Sequence, residues 1–118
     1  MYEYKCQLIR VVDGDTVDVL IDVGFSTFRK ERVRLYGINA PESRTRNLEE
    51  KKLGIAAKER LKEILKSFGK SFVIKTEIDK KGKYGRILGQ LYDLDYQNCA
   101  NDMMITEGHA VEYFGGKR

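Results

Sequence analysis

Four short segments of the chain contain residue types that could act together on a phosphodiester bond: residues 13–16 (DGDT), Arg34, residues 39–42 (NAPE) and residues 83–86 (KYGR). Hydrolysis of such a bond requires a cation on a phosphate oxygen, an oriented water molecule and positive charge for the developing oxyanion. Ca²⁺ is a hard cation that takes carboxylate, amide and backbone carbonyl oxygens as ligands. The four segments therefore predict metal-assisted phosphodiester chemistry, provided that the fold brings them together.

The metal ligands would come from the Asp15 carboxylate, the Asn39 amide oxygen and the Ala40 carbonyl. Residues 11–19, VVDGDTVDV, place carboxylates and a glycine inside a β-branched run, although both residue types are poor strand formers. An Asp-Gly dipeptide is also typical of a simple turn. The interruption therefore indicates either a turn or a metal site, and Asp15 alone does not decide between them.

Three charged side chains would carry the remaining chemistry. Glu42 could serve as a general base or position the attacking water, and the guanidinium groups of Arg34 and Arg86 could clamp the phosphate. Each also has a structural interpretation, because Arg34 could form an ordinary strand ion pair and Glu42 could be a loop carboxylate. Residues 80–86 could likewise form a solvated hairpin loop. The joint order and spacing of these residues, rather than any one of them, favours the functional interpretation.

Short strands and two helices must position these residues. Period-two alternation and β-branched runs predict strands at residues 4–12, 16–23, 26–38, 71–78 and 86–94. Apolar residues at helical spacing predict a helix at residues 48–68, and a shorter helix is expected at residues 101–108.

Capping residues indicate where the helices begin and end. Asn47 is the expected N-cap of the first helix and Gly69 its C-terminal cap. Gly54 weakens the first turn, so the helix could begin nearer to that residue. Asn101 is the expected cap of the short helix, and Gly108 is expected to end it.

This order of elements is that of a five-stranded oligonucleotide-binding (OB-fold) barrel, with a helix between the third and fourth strands and a short helix after the fifth. We therefore expect a mainly β (α+β) fold with antiparallel strands. With 118 residues, the chain is expected to form one domain over residues 1–118, around a single modest core.

Charge and composition narrow the class of partner. Between residues 29 and 86 there are 18 Lys and Arg against 8 Asp and Glu, whereas the flanking segments hold 4 basic and 10 acidic residues. Such a basic middle favours an anionic partner such as a nucleic-acid backbone, although part of it could be a solvated helix face. Cys6 and Cys99 lack the spacing of metal ligands or of a disulfide framework and are expected to be reduced thiols.

The chain contains no apolar run of the length of a membrane span, so no membrane partner is expected. Its first ten residues, MYEYKCQLIR, lack the apolar core of a signal peptide. A cytoplasmic location is therefore expected.

Taken together, DGDT (13–16), RLYGINAPE (34–42) and KYGR (83–86) resemble the hallmark segments of the staphylococcal nuclease (thermonuclease) family. The similarity extends over roughly residues 7–114 in the family's order. The resemblance implies an SNase-like OB-fold barrel and Ca²⁺-dependent cleavage of DNA or RNA. It also implies that the carboxylate of Asp15 binds the metal, and that Asp13 is an acidic residue near the metal ligands that does not bind the metal itself.

The same resemblance implies roles for residues elsewhere in the chain. Arg34 and Arg86 correspond to the catalytic arginine pair, and Glu42 to the carboxylate that handles the attacking water. Lys83 and Tyr84 stand where family members contact phosphate or base. Tyr113 is a further candidate for contact with a nucleotide, and Phe114 is an alternative candidate for the same role.

Two departures from the family pattern are visible. The family usually has Asp where this chain has Asn39, so the site loses one negative charge and weaker metal binding is expected. The C-terminal helix of longer family members is not expected in this chain. Two hypotheses therefore stay open: an active nuclease, and a catalytically silent domain that binds nucleic acid or protein.

Overall fold

The computed structural model describes residues 2–77 and 87–114. Within these ranges the strands are β1 (Glu3–Asp13), β2 (Thr16–Gly24), β3 (Thr27–Leu35), β4 (Ile38–Asn39), β5 (Phe72–Glu77), β6 (Ile87–Tyr92) and β7 (Val111–Glu112). The helices are α1 (Leu48–Ser67) and α2 (Ala100–Thr106). Neither of these two helices has the length and hydropathy needed to cross a membrane.

Five strands form a closed barrel in the order β1-β2-β3-β6-β5, which confirms the expected OB-fold architecture. Four of the neighbouring pairs are antiparallel, whereas β3 and β6 pair in parallel through Val33↔Ile87 and Leu35↔Gly89. The expectation of a wholly antiparallel barrel was therefore wrong. A closed ring with an odd number of strands cannot alternate in direction at every step, so one pair has to be parallel.

The predicted third strand is divided in two. β3 ends at Leu35, and Gly37 then adopts a φ of +81°, a left-handed conformation that glycine takes at little cost. The chain leaves the barrel at this point, and β4 pairs with β7 through Ile38↔Glu112 and Asn39↔Val111. Asn39 is thereby held in a small separate sheet beside the end of β3.

The hydrophobic core fills the interior of the barrel and continues to the face of α1 that packs against it. As alternation predicted, Val17, Val19 and Ile21 of β2 point inward and are at most 3% exposed. The apolar stripe of α1 closes the core with four residues that are at most 1% exposed: Ala57, Leu61, Ile64 and Leu65. Burial of each large side chain of this kind stabilises the fold by roughly 1.5–3 kcal/mol.

Helix α1 begins where its capping residue predicted. The Asn47 side chain accepts hydrogen bonds from the backbone N–H groups of Glu49 (3.0 Å) and Glu50 (3.1 Å). Gly54 lies well inside the helix, so the expectation that it could shift the start was wrong. A Cβ atom at Gly54 would come within 2.7 Å of the Ser43 backbone nitrogen and would also overlap the Glu42 carbonyl. This glycine is therefore explained by the close approach of a loop to the helix.

Asn101 does not cap α2. The helix begins at Ala100, and Asn101 is a buried residue (2% exposed) whose amide holds neighbouring segments together. Its oxygen accepts a hydrogen bond from Leu91 N (3.1 Å), and its nitrogen donates to the carbonyls of Tyr36 (2.8 Å) and Gly89 (3.1 Å). Cys6 and Cys99 are both buried free thiols, as expected.

Candidate active site

Asp15 lies in the tight turn between β1 and β2, where Asp13 pairs with Thr16. The interruption of the β-branched run is therefore a turn, and the turn also places a carboxylate against neighbouring segments. Gly14 is not among the glycines with a positive φ. A Cβ atom there would lie 2.7 Å from Ala57 Cβ and 2.9 Å from Ala40 Cβ, so glycine is needed because helix α1 and the 39–42 segment leave no space.

The Asp15 carboxylate is almost enclosed, at 7% exposure for the residue. Its Oδ1 accepts a hydrogen bond from the Thr16 hydroxyl at 2.9 Å. Its Oδ2 accepts one from the Ala40 backbone N–H at 2.9 Å and lies 3.4 Å from Nη1 of Arg34. These contacts fix both oxygens and bring Asp15, Arg34 and Ala40 together.

Arg34 links the turn to β4. Its Nη1 donates to the Ile38 carbonyl at 2.9 Å and to the Leu35 carbonyl at 3.3 Å, while its Nη2 donates to Asn39 Oδ1 at 3.1 Å. The side chain is only 17% exposed. The guanidinium therefore lies between the Asp15 carboxylate and the Asn39 amide oxygen.

The chemistry of this oxygen set fits a hard cation. Asp15 offers a carboxylate, Asn39 an amide oxygen and Ala40 a backbone carbonyl, all of which are ligand types that Ca²⁺ accepts. Among the described residues there is no group of three His, Cys, Asp or Glu side chains that could hold a metal. A cation here would therefore rely on one carboxylate and on neutral oxygens.

Glu42 lies in a loop that is fastened to its surroundings by the neighbouring residues. Asp13 Oδ1 accepts hydrogen bonds from the Ser43 backbone N–H (3.3 Å) and from the Ser43 hydroxyl. The Glu42 backbone N–H donates to Glu50 Oε2 at 3.4 Å, and its carbonyl packs closely on Gly54. The Glu42 residue itself is exposed. Asp13 thus positions the loop that carries Glu42.

Sequence reasoning missed two of the residues that position this loop. Ser43 is buried at 8% exposure, yet its type and its place in a polar segment gave no signal of that. Gly54 did give a signal, because a glycine inside an otherwise regular helical pattern indicates a close packing contact.

Aromatic side chains border the same end of the barrel. The Tyr113 backbone N–H donates to the Gly37 carbonyl at 2.9 Å, which places Tyr113 directly after β7 and beside the turn that precedes Asn39. The Phe114 ring packs edge-on against the Tyr36 ring, with centroids 5.6 Å apart, and Phe114 is 68% exposed. Both candidates for a base contact are therefore near β4.

An open depression of about 450 Å³ lies on the α1 side of Asn39 and Ala40. Its lining includes the acidic residues Glu49 and Glu50, and also His109. Because carboxylates repel phosphate, this depression is poorly suited to the nucleic-acid backbone. The predicted residues Lys83, Tyr84 and Arg86 lie outside the described residues.

Comparison with known proteins identifies the family of this chain. A family model of staphylococcal nuclease homologues matches residues 32–118. The chain therefore belongs to the staphylococcal nuclease family, as its motifs indicated.

Several relatives of this chain are named as nucleases. It is 33% identical to a micrococcal nuclease of Shigella flexneri, over 94% of this chain and 59% of that protein. It is 32% identical to Endonuclease YhcR of Bacillus subtilis (strain 168), over 95% of this chain and 9% of that protein. An uncharacterized endonuclease of Escherichia coli is 31% identical, over 91% of this chain and 60% of that protein. The chain thus spans about three-fifths or less of the length of these relatives.

Proposed function

We propose that this chain hydrolyses phosphodiester bonds of DNA or RNA with Ca²⁺ as its cofactor. The observation that carries the proposal is the position of the Arg34 guanidinium, 3.4 Å from Asp15 Oδ2 and 3.1 Å from Asn39 Oδ1. A phosphate-binding group and two oxygen ligands for a cation are thereby within a few ångströms of one another. Membership of a nuclease family and the basic charge of residues 29–86 support the same substrate class.

Each residue then has a defined task. Asp15, Asn39 and the Ala40 carbonyl hold the cation, which when bound supplies positive charge to a phosphate oxygen. Arg34 donates hydrogen bonds to the phosphate and stabilises the charge that develops on it. Glu42 orients the attacking water and accepts its proton.

Four residues that are assigned through the family resemblance complete this scheme. Arg86 acts as the second guanidinium on the phosphate, while Lys83 and Tyr84 bind the neighbouring nucleotide. Tyr113 contacts a base of the bound strand. These assignments rest on the family motifs, whereas those of Asp15 and Arg34 also rest on distances.

One observation favours a different function, a catalytically silent domain that binds nucleic acid or protein. Asn39 carries no charge, and its amide oxygen already accepts a hydrogen bond from Arg34. A barrel in this state could bind an anionic strand through its basic residues without cleaving it. The carboxylates Asp15 and Glu42 count against this alternative, because a site that only binds phosphate is weakened by negative charge.

The test is to incubate the purified chain with labelled single-stranded DNA or RNA, in Ca²⁺ or in a chelator, from neutral to alkaline pH. We expect fragments only in Ca²⁺. Asp15→Asn should abolish them, whereas Asp95→Asn, a matched change on an exposed turn, should not. Absence of Ca²⁺-dependent cleavage throughout this range would favour the silent binding domain.

A further inference from the structure

A second group of charged residues lies on the outer face of the barrel. Arg10 on β1, Asp18 on β2 and Arg32 on β3 are direct cross-strand neighbours, in the register Arg10↔Asp18↔Arg32. We call these three residues the Asp18 triad. None of them belongs to the three segments that carry the family resemblance.

One carboxylate holds both arginines of the triad. Arg32 Nε donates to Asp18 Oδ1 at 2.8 Å and Arg32 Nη2 to Oδ2 at 3.2 Å, while Arg10 Nε donates to Oδ2 at 3.0 Å. The Asp18 side chain is only 9% exposed, whereas those of Arg10 and Arg32 are 55% and 48% exposed. The carboxylate is thus covered by the two guanidinium groups that it orients.

The triad carries more positive than negative charge. The hydrogen bond from Arg32, opposed by burial and helped by Arg10, lowers the pKa of Asp18 to about 2, so this carboxylate is ionised at neutral pH. Two guanidinium groups therefore share one carboxylate, which leaves the triad with a net charge of +1. No partner is found among residues 2–77 and 87–114 for the Nη groups of Arg10 or for Nη1 of Arg32.

The triad is aligned with Arg34. Arg32 and Arg34 lie two residues apart on β3 and pair with Asp18 and Thr16 on the same side of β2, so both are on one face of the sheet. Lys30 continues the same row towards the far end of the strand. Alternate residues of a strand are about 6.7 Å apart, so a row of cations with a spacing comparable to that of successive phosphates leads up to Arg34.

A stabilising ion pair alone does not require this composition. One arginine is enough to neutralise Asp18, and Arg32 already donates two hydrogen bonds to it. The second arginine donates its own hydrogen bond to Asp18 Oδ2, but it leaves the triad with an excess positive charge that an external anion would offset. Guanidinium groups with free Nη donors, held by a carboxylate through their Nε side, are well suited to bind phosphate oxygens.

We propose that the Asp18 triad is a phosphate-binding subsite for a single nucleic-acid strand, next to the phosphate held at Arg34. This inference rests on the proposed function, since it places the rest of the substrate backbone along β3. Arg10 and Arg32 bind the strand directly. Asp18 is a positioning residue, because it acts by holding the two arginines.

The test measures binding in a chelator, where no cleavage interferes. A fluorescein-labelled oligothymidylate of about 12 nucleotides, within the range that one OB-fold covers, is titrated by anisotropy at several salt concentrations. Arg10→Gln and Arg32→Gln should each raise Kd about 3- to 10-fold. Each should also reduce the slope of log K against log salt by about 0.7, the value for one lost contact to a single-stranded phosphate.

Arg29→Gln is the matched control. Arg29 lies on the same strand and pairs with Glu31, but its register with Ile21 places it on the other side of β3. Arg29→Gln removes the same charge from another position, so it measures how much the loss of one positive charge alone weakens oligonucleotide binding. Arg10→Lys and Arg32→Lys retain the charge and should keep the wild-type salt slope, and circular dichroism checks that each variant is folded.

The outcomes separate the two proposals. If Arg10→Gln and Arg32→Gln behave like Arg29→Gln while the wild type still cleaves DNA or RNA, the subsite is wrong and the proposed function stands. If both variants lower the salt slope but no cleavage is ever seen, the subsite stands and the nuclease assignment fails. Displacement of the oligonucleotide by an equal concentration of inorganic phosphate would overturn the assignment to a strand.

Discussion

Arg34 donates a hydrogen bond of 3.1 Å from its Nη2 to Oδ1 of Asn39, so the side chain suited to clamp phosphate also holds the amide suited to bind a cation. Its Nη1 at the same time lies 3.4 Å from Asp15 Oδ2. A guanidinium and a metal ion repel each other at such short range. Binding of Ca²⁺ at Asp15 and Asn39 would therefore compete with these two contacts of Arg34.

Replacement of Asn39 by Asp should tighten Ca²⁺ binding. The substitution adds a second carboxylate to the oxygen set, and the charge of the ligands tunes the affinity of calcium sites. We expect a Kd about tenfold lower by isothermal titration calorimetry, which corresponds to about 1.4 kcal/mol. Gln97→Glu adds the same charge on an exposed turn and should leave the affinity nearly unchanged. An unaltered Kd for Asn39→Asp would show that Asn39 is not a ligand.

Arg34→Lys should slow cleavage even though the charge is retained. Lysine cannot reproduce the planar arrangement of donors that binds two phosphate oxygens. Removal of such a transition-state donor lowers the rate by about 100-fold or more. The measurement is kcat on single-stranded DNA or RNA with saturating Ca²⁺, with Arg29→Lys as the control on the same strand. Equal rates for the two variants would mean that Arg34 does not touch the reacting phosphate.

Gly54→Ala should destabilise the protein, although helix propensity alone predicts the opposite. Alanine is favoured over glycine inside a helix by about 1 kcal/mol. At this position, however, the added Cβ would lie 2.7 Å from the Ser43 backbone nitrogen, so the loop that carries Glu42 must move. We expect a lower free energy of unfolding in urea and a reduced cleavage rate.

Ala56→Gly provides the comparison for this prediction, because Ala56 is exposed on the same helix. Ala56→Gly should lower the free energy of unfolding by about 1 kcal/mol through helix propensity alone, and it should leave the cleavage rate unchanged. Stabilisation by Gly54→Ala would contradict the close approach of loop and helix.

Asp18→Asn should cost stability in a way that depends on pH. The pKa of Asp18 is lowered from 3.8 to about 2, chiefly by the hydrogen bond from Arg32. A carboxyl group whose pKa is lower in the folded state stabilises the fold above its unfolded pKa, and this contribution is lost as the pH falls through the folded pKa. The difference in Tm between wild type and variant should therefore be largest near neutral pH and shrink between about pH 4 and pH 2.

Asp95→Asn serves as the reference for this series, since Asp95 lies on an exposed turn. Its Tm should follow that of the wild type over the whole pH range. A difference for Asp18→Asn that stays constant down to pH 2 would show that the ionised carboxylate is not what stabilises the triad.

Asn101→Ala should be strongly destabilising. The substitution leaves the Leu91 N–H and the Tyr36 and Gly89 carbonyls without the amide that they share. Buried polar groups that lose their partners cost about 1–3 kcal/mol each, so a total loss of about 3 kcal/mol or more is expected in urea unfolding. Asn98→Ala, at an exposed turn, should cost much less. A small effect of Asn101→Ala would mean that water replaces the amide.

The sequence predicted those features that depend on local pattern. Alternation located β1 and β2, helical spacing identified the buried face of α1, and Asn47 marked the start of that helix. The association of Asp15 with Arg34 and Ala40 was predicted through motifs rather than through periodicity. Their contacts join segments that are distant in the chain, and only the fold brings them within hydrogen-bond reach.

The features that could not be predicted arise from contacts between distant segments. Gly14 is required because Ala57 and Ala40 approach the turn, and no property of residues 13–16 indicates that. Asn101 is a good capping residue by type, but its burial next to Leu91 and Gly89 gives it a different task. Local propensity is a weak guide wherever tertiary packing offers a residue stronger partners.

Because β4 pairs with β7, the sheet that holds Asn39 forms only after the later part of the chain has been synthesised. Asn39 emerges from the ribosome early, whereas Val111, to which it is paired, emerges near the close of the described sequence. Until then the segment that carries Asn39 has no strand beside it. The small sheet that holds Asn39 is therefore completed only after residue 112 has been synthesised.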